Sequence, residues 1–265
     1  MPVGLVVIRN EASYRKEFFC DGLKAAGYTL TQNVAHAPKP DDVLIVWNRH
    51  GAHDLYARRF ETAGAKVIVA ENGWIGKDPS GHKLYAMCLG HHCGRGTWRV
   101  GEGDRWSRIG VELKPWRKDG KHILVLAARG IGERGLAQPR NWIDDVTKRL
   151  ARVTKRPVRV RLHPGLKLKL NDAVMPPLAP DLANCWAAVT WASGAGIKSI
   201  VEGVPVFHDL PGWIGAAAAR HGVDDIENPF LGDRIPMLQR MAWCMWSAEE
   251  IATGEPIKRL LKEWR

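Results

Sequence analysis

The stretch Ala187–His208, AAVTWASGAGIKSIVEGVPVFH, constrains the fold more than any other part of the chain. A short apolar run, Ala188–Trp191, leads into a loop of small residues, Ser193-Gly194-Ala195-Gly196. Ile197–Glu202 then reads as helix, Gly203 closes it, and Pro205-Val206-Phe207 starts another strand. That order is a βαβ crossover, which gives parallel strands. A helix N-terminus after a small-residue loop offers backbone N–H groups and a positive dipole end, a combination that favours phosphate. Ser193, Gly194, Ala195, Gly196 and Ser199 are therefore candidate phosphate contacts. Glu202, two turns further on, is a candidate acceptor for the hydroxyls of a ribose. The competing reading is an ordinary crossover whose Gly and Pro only make turns.

The same alternation runs through both halves. In the first, Val3–Ile8, Tyr28–Thr31, Val43–Trp47 and Lys66–Ala70 read as strands, and Ser13–Ala26 and Ala52–Ala63 as helices capped by Gly27 and Gly64. The strand C-termini then present Arg9-Asn10-Glu11, Asn48-Arg49-His50 and Glu71-Asn72-Gly73-Trp74, the ligand edge of a parallel sheet. Residues 76–116 show little periodicity and read as irregular structure ending in a linker. A second alternation follows: strands at His122–Ala127 and Val158–Leu162, a helix from Pro139 to about Val153 and a short one at Leu178–Cys185. Pro236–Trp246 and Glu255–Trp264 read as closing helices. The expected architecture is α/β, with two Rossmann-like domains facing each other across a cleft. Residues 1–115 form the first domain, 116–235 the second, and 236–265 helices that pack back on the first.

Charge is unevenly distributed. The formal net charge of +11 is matched by Arg117–Lys169 alone, with 15 Lys and Arg against 4 Asp and Glu. A field so concentrated suits a polyanion such as double-stranded DNA, or a solvated basic face. Lys148, Arg149, Arg152 and Lys155, on and just after the helix ending near Val153, are the candidate DNA contacts. Twelve tryptophans suit cores, and also stacking on sugars or unpaired bases. No run of about 18 apolar residues exists to span a membrane. The N-terminus reads as a strand and not as a signal peptide. Five scattered cysteines suit reduced thiols, and a cytoplasmic location is expected.

Three strand-end loops of the second half supply the chemistry: Arg129–Gly135, His163-Pro164 and Ser193–Gly196. Converging on one crevice, they offer a guanidinium, an imidazole, a hydroxyl and N–H groups, a set that suits a diphosphate. Gly130-Ile131-Gly132-Glu133-Arg134-Gly135 matches the dinucleotide fingerprint in form, but Pro139 starts the helix too late and the next strand ends without an acidic residue. It reads as a phosphate loop, with Arg129, Gly130 and Arg134 as contacts. Gly194–Ser199 lacks the Gly-Lys pair of a Walker loop. Cys88, His91, His92 and Cys93 lack the second pair that a structural zinc site needs, so no metal and no resident cofactor is expected.

The 187–208 order resembles the nucleotide-sugar site of two-Rossmann-domain (GT-B) glycosyltransferases. Arg161-Leu162-His163-Pro164 resembles sugar transferases of the capsule and teichoic-acid type. Met241–Glu255, with Trp47-Asn48-Arg49 and Ala70-Glu71-Asn72-Gly73, is similar to phage-encoded glycosyltransferases, some of which act on hydroxymethylated pyrimidines in DNA. The resemblance implies a metal-independent glycosyltransferase with a nucleoside-diphosphate sugar donor, a UDP-sugar above all, and a hydroxymethylated pyrimidine in DNA as acceptor. A surface-polysaccharide transferase and a non-catalytic nucleic-acid-binding protein are the alternatives. If the reaction inverts, Glu71 and then His50 are the candidate bases, since both are placed at strand ends facing the cleft.

Overall fold

A computed structural model of the chain describes residues 1–92, 94–132, 135–164 and 177–262. Arg134, Cys93, Lys169 and Trp264, each invoked above, lie outside them. The chain divides into two compact units, 1–110 with 238–265, and 111–237.

The first unit opens with β1 (Val3–Val7), α1 (Lys16–Ala25), β2 (Thr29–Thr31), β3 (Val43–Trp47), α2 (Ala52–Thr62) and β4 (Lys66–Lys77). The apolar runs of β1, β3 and β4 are buried because helices cover a parallel sheet. Leu5, Leu44, Val46, Val67 and Val69 pack against Ala57 and Phe60 of α2. α1 buries Phe19, Gly22 and Leu23. β4 does not stop at Ala70. Its parallel pairing with β3 ends there, but the strand continues into a hairpin with β5 (Lys83–Leu89), pairing Glu71 with Ala86 and Asn72 with Tyr85. The expected irregular region thus begins with a strand, and also holds the short helix α3 (Arg105–Arg108).

The second unit carries β6 (His122–Leu126), α4 (Trp142–Val153), β7 (Val158–Arg161), α5 (Ala179–Leu182), β8 (Cys185–Thr190), α6 (Gly194–Val201), β9 (Val206–His208) and β10 (Arg220–His221). Its sheet has the order β10-β9-β8-β6-β7, with every pairing parallel. Ile123, Val125, Val189 and Phe207 meet Trp142, Val146 and Leu150 of α4 in the core. The strand order reverses between β6 and β8, so the crevice of this unit lies beyond their C-terminal ends.

α7 (Ile235–Ala242), β11 (Met245–Trp246), α8 (Ala248–Ala252) and α9 (Glu255–Leu261) complete the chain. The expected helix to Trp246 stops at Ala242, because Met245 and Trp246 pair antiparallel with Ala86 and Tyr85. The first sheet is thus β11-β5-β4-β3-β1-β2. Ser247 and Glu250 form a reciprocal capping box that starts α8. No helix among the described residues is long and apolar enough to cross a membrane.

Candidate functional site

The switch point of the second unit is built from hydrogen bonds that the sequence did not announce. Thr190, the last residue of β8, donates its hydroxyl to the Leu126 carbonyl at 3.4 Å and accepts from the Ser193 N–H at 2.8 Å. It therefore ties the end of β6 to the start of α6. Trp191 Nε1 donates to the Leu136 carbonyl at 2.7 Å, joining the loops after β8 and β6. The Gln138 side chain accepts from the Ala128 N–H at 2.8 Å and closes the β6 loop on itself.

Arg129, Gly130, His163 and Ser193 to Gly196 follow three neighbouring strands, β6, β7 and β8. Arg129 is exposed and its charge is felt by His163. Burial, first, and that guanidinium, second, hold the His163 imidazole below its ordinary pKa. The imidazole and the guanidinium follow the neighbouring strands β7 and β6.

The α6 N-terminus is less open than the sequence suggested. Ser193 is its N-cap and accepts from the Ala195 N–H at 3.1 Å, while the Gly196 N–H donates to the Ser193 carbonyl at 3.0 Å. Among the described residues, the Gly194 N–H is left as the unpartnered amide of that first turn. Ser199 is buried and donates to the Ala195 carbonyl at 2.9 Å, so its hydroxyl serves its own helix. Gly196 is small for the sake of Trp213: a Cβ there would lie 2.8 Å from Cη2 and 2.9 Å from Cζ2 of that indole. Glu202 is the C-cap of α6, at the opposite end from the loop, about 12 Å away at 1.5 Å per residue. Its carboxylate meets the Lys114 ammonium. The structure does not bring Glu202 to the crevice.

β9 adds residues that the sequence reading passed over. His208 is buried, its Nδ1 3.0 Å from the Leu210 carbonyl and its ring 5.4 Å from those of Trp213 and His221. Burial lowers its pKa. Asp209 accepts from Trp142 Nε1 at 2.7 Å and from Arg149 Nη1 at 2.9 Å. Arg149 therefore braces the end of β9, a role different from the DNA contact expected of it. Lys148, Arg152 and Lys155 are exposed. Other cations of the basic stretch are also engaged: Arg117 with the Leu182 and Cys185 carbonyls, Arg156 with Glu227 and the Trp186 ring, Arg161 with Asp181. The guanidiniums explain several tryptophans as well. Arg240 stacks on Trp98 at 4.2 Å, Arg234 on Trp116 at 4.2 Å and Arg105 on Trp246 at 3.9 Å.

In the first unit, Glu71 and His50 come just after the last parallel pair of β3 and β4, Trp47 with Ala70. Glu71 lies within β4, half-buried, and not in a loop; His50 is exposed. Arg49, between Asn48 and His50, turns inward. It is 4% exposed and holds Asp54 at 2.9 Å, Glu61 at 2.6 and 2.7 Å and the Gly90 carbonyl at 2.8 Å. The hairpin adds Lys83 to this edge. Its ammonium donates to Asn72 Oδ1 at 2.6 Å and lies 5.5, 5.6 and 5.9 Å from the Tyr85, Trp47 and Tyr14 rings. Burial and the Arg15 charge lower its pKa. Among the described residues no group of three or more His, Cys, Asp or Glu is placed to hold a metal ion.

No protein-family model matches the chain, and no curated protein matches its sequence. Solved structures do resemble it. Thermosulfurimonas dismutans KpsC, as the beta Kdo 2,7 transferase, superposes with a TM-score of 0.58 at 14% identity, covering 96% of this chain and 98% of that one. The beta Kdo 2,4 transferase of the same protein gives 0.54 at 12% identity, covering 91% and 90%. At such identities the likeness is one of fold. The chain has the two-domain, Rossmann-like architecture of a glycosyltransferase fold, with one mostly parallel sheet and one wholly parallel sheet.

Proposed function

We propose that the protein is a glycosyltransferase that binds a nucleotide-activated sugar at the strand edge of its second unit and extends a surface polysaccharide. The observation that carries the donor site is that Arg129, His163 and the first turn of α6 follow the C-terminal ends of the neighbouring strands β6, β7 and β8, where the strand order reverses. The likeness in fold, over nearly the whole chain, to two transferases named for Kdo supports the polysaccharide acceptor.

In the transfer, an acceptor hydroxyl attacks the anomeric carbon and the bond to the nucleotide phosphate breaks. Negative charge grows on the departing phosphate. The Arg129 guanidinium offsets that charge, and an arriving anion opposes the burial and the Arg129 charge that lower the His163 pKa, which favours the imidazole as a second, cationic donor to the leaving group. The Gly194 N–H supplies a further donor. Ser193, already engaged as a cap, orients the turn. With two cations for charge compensation, the mechanism runs without a divalent ion. In an inverting reaction Glu71 is the first choice of base and His50 the second.

The test is a panel of nucleotide sugars, UDP-sugars among them, incubated with the protein with and without oligosaccharide acceptors. Nucleotide release and product mass are followed. Acceptor-dependent release that survives a chelator is expected; no release with any donor overturns the reading. A hydroxymethylpyrimidine duplex belongs in the same panel. Lys148, Arg152 and Lys155 are the exposed cations that favour it. Glycosylated DNA, with binding lost when those three are reversed to Glu, would replace the polysaccharide acceptor.

A further inference from the structure

We infer that Cys88 and Cys244 form an oxidation site, where a peroxide converts two buried thiols of the first unit into a cross-link. Their Sγ atoms lie 3.1 Å apart although the residues are 156 apart in sequence. The disulfide bond length is about 2.05 Å, so the sulfurs have roughly 1 Å to close. The backbones that carry them run side by side, with Cys244 opposite Met87 and so one residue from Cys88. β5 and β11 pair Ala86 with Met245 and Tyr85 with Trp246, and the Met87 N–H donates to the Cys244 carbonyl at 2.9 Å. The Cys244 thiol also donates to the Met87 carbonyl at 3.3 Å. Cys88 is 1% exposed and Cys244 fully buried, so the pair is held by surrounding packing and not by chance surface motion. Cys185, by contrast, is turned to its own strand and donates to the Ala187 carbonyl.

The chemistry balances with a peroxide as oxidant. One sulfur attacks a peroxide oxygen, the O–O bond breaks, and a sulfenic acid and water result. The second thiol attacks that sulfur, the S–O bond breaks, and the oxygen leaves as a second water. Two thiols lose two electrons and two protons; the peroxide is reduced to two waters.

The position of the pair gives the bond a consequence. Cys88 lies before the chain leaves the first unit, and Cys244 lies just after it returns. All of residues 111–237 fall inside the loop that the bond closes. The cross-link fastens the returning segment to the sheet, and it removes freedom from the unfolded chain. This inference does not depend on the glycosyltransferase reading.

The test uses the full chain, reduced, freed of reductant, treated with hydrogen peroxide, then denatured, alkylated and digested for mass spectrometry. A peptide pair joined through Cys88 and Cys244, lighter by two hydrogens and released by reductant, is expected. The oxidised protein should melt several degrees higher than the reduced one. That rise should vanish in Cys244→Ala and persist in Cys20→Ala. Recovery of both residues as alkylatable thiols, a sulfinic acid on either, or linkage of Cys88 to Cys93 overturns the inference. The mapping is done on the unmutated protein, so it decides the matter even if a variant does not fold.

Discussion

Gly196→Ala separates two explanations of the same glycine. In an open helical position Ala is favoured over Gly by about 1 kcal/mol, so the substitution would stabilise α6. Here the new Cβ would stand 2.8 and 2.9 Å from the Trp213 ring and 3.1 Å from Thr190 Cγ2. The indole has nowhere to retreat. It is 2% exposed, and a Cβ on Gly215 would meet the same ring at 2.5 and 2.6 Å. Overpacking of this kind costs about 1–3 kcal/mol, which exceeds the gain in propensity. The net is a loss of about 1 kcal/mol, or roughly 4 °C in the melting temperature of a unit this size. Differential scanning calorimetry is the assay. The sign should invert in a Trp213→Phe background, where the benzo edge carrying Cη2 and Cζ2 is gone and the helical gain reappears. A higher melting temperature for Gly196→Ala in the natural background refutes the packing account. So does an unchanged melting temperature with lost nucleotide affinity, which would return Gly196 to the ligand.

Arg105→Ala should destabilise the first unit by about 2 kcal/mol, because it leaves the Ala242 and Met245 carbonyls without their guanidinium donor, leaves Glu250 with only the Ser247 N–H among the described residues, and strips a cation from Trp246; a change under about 1 kcal/mol in chemical denaturation would contradict the anchor. Glu202→Ala should leave nucleotide affinity within about twofold in calorimetry, since it breaks only a largely exposed pair with Lys114; a tenfold loss would put Glu202 back in the site. Stability should fall as pH drops below about 7. His122, His163 and His208 all have folded pKa values below their ordinary 6.5, so the unfolded chain binds the extra protons first. Their contribution is complete above pH 6.5 and is lost as pH falls through the folded values. Denaturation curves with no such slope, or a slope unchanged in His208→Gln, would sink that assignment.

Elements that bury both faces were legible, because a continuous apolar run such as Val43–Trp47 has no other use in a chain of this kind. The order strand, Ser-capped loop, helix, strand at 185–208 was legible for the same reason. What escaped was set by partners distant in sequence. Glu71-Asn72-Gly73 looks like a turn, yet β5 draws it into a hairpin, and Gly73 is small because the Leu84 backbone passes against it. Met245-Trp246 continues an apolar helical pattern, yet β5 makes it a strand. Arg149 looked like one cation among many until Asp209, 60 residues away, claimed it. At the candidate site the loops were legible and the hydrogen bonds were not. Nothing in the spacing Thr190-x-x-Ser193 says that these side chains consume the amides that seemed free.

The sheet of the first unit takes its edge strand from the far end of the chain, and this fixes an order of events during synthesis. When Leu89 leaves the ribosome, β5 has one neighbour, β4, and its other edge is bare. Its remaining partner, Met245-Trp246, is more than 150 residues behind. At about 5–20 residues per second the edge waits roughly ten to thirty seconds. Every residue of the second unit is made within that interval, and that unit needs nothing from the C-terminus to close its five-stranded sheet. The second unit is therefore the first that can finish folding, and the first unit stays incomplete until Met245 and Trp246 arrive. For that interval, the strand most open to unwanted pairing is one that the finished protein covers.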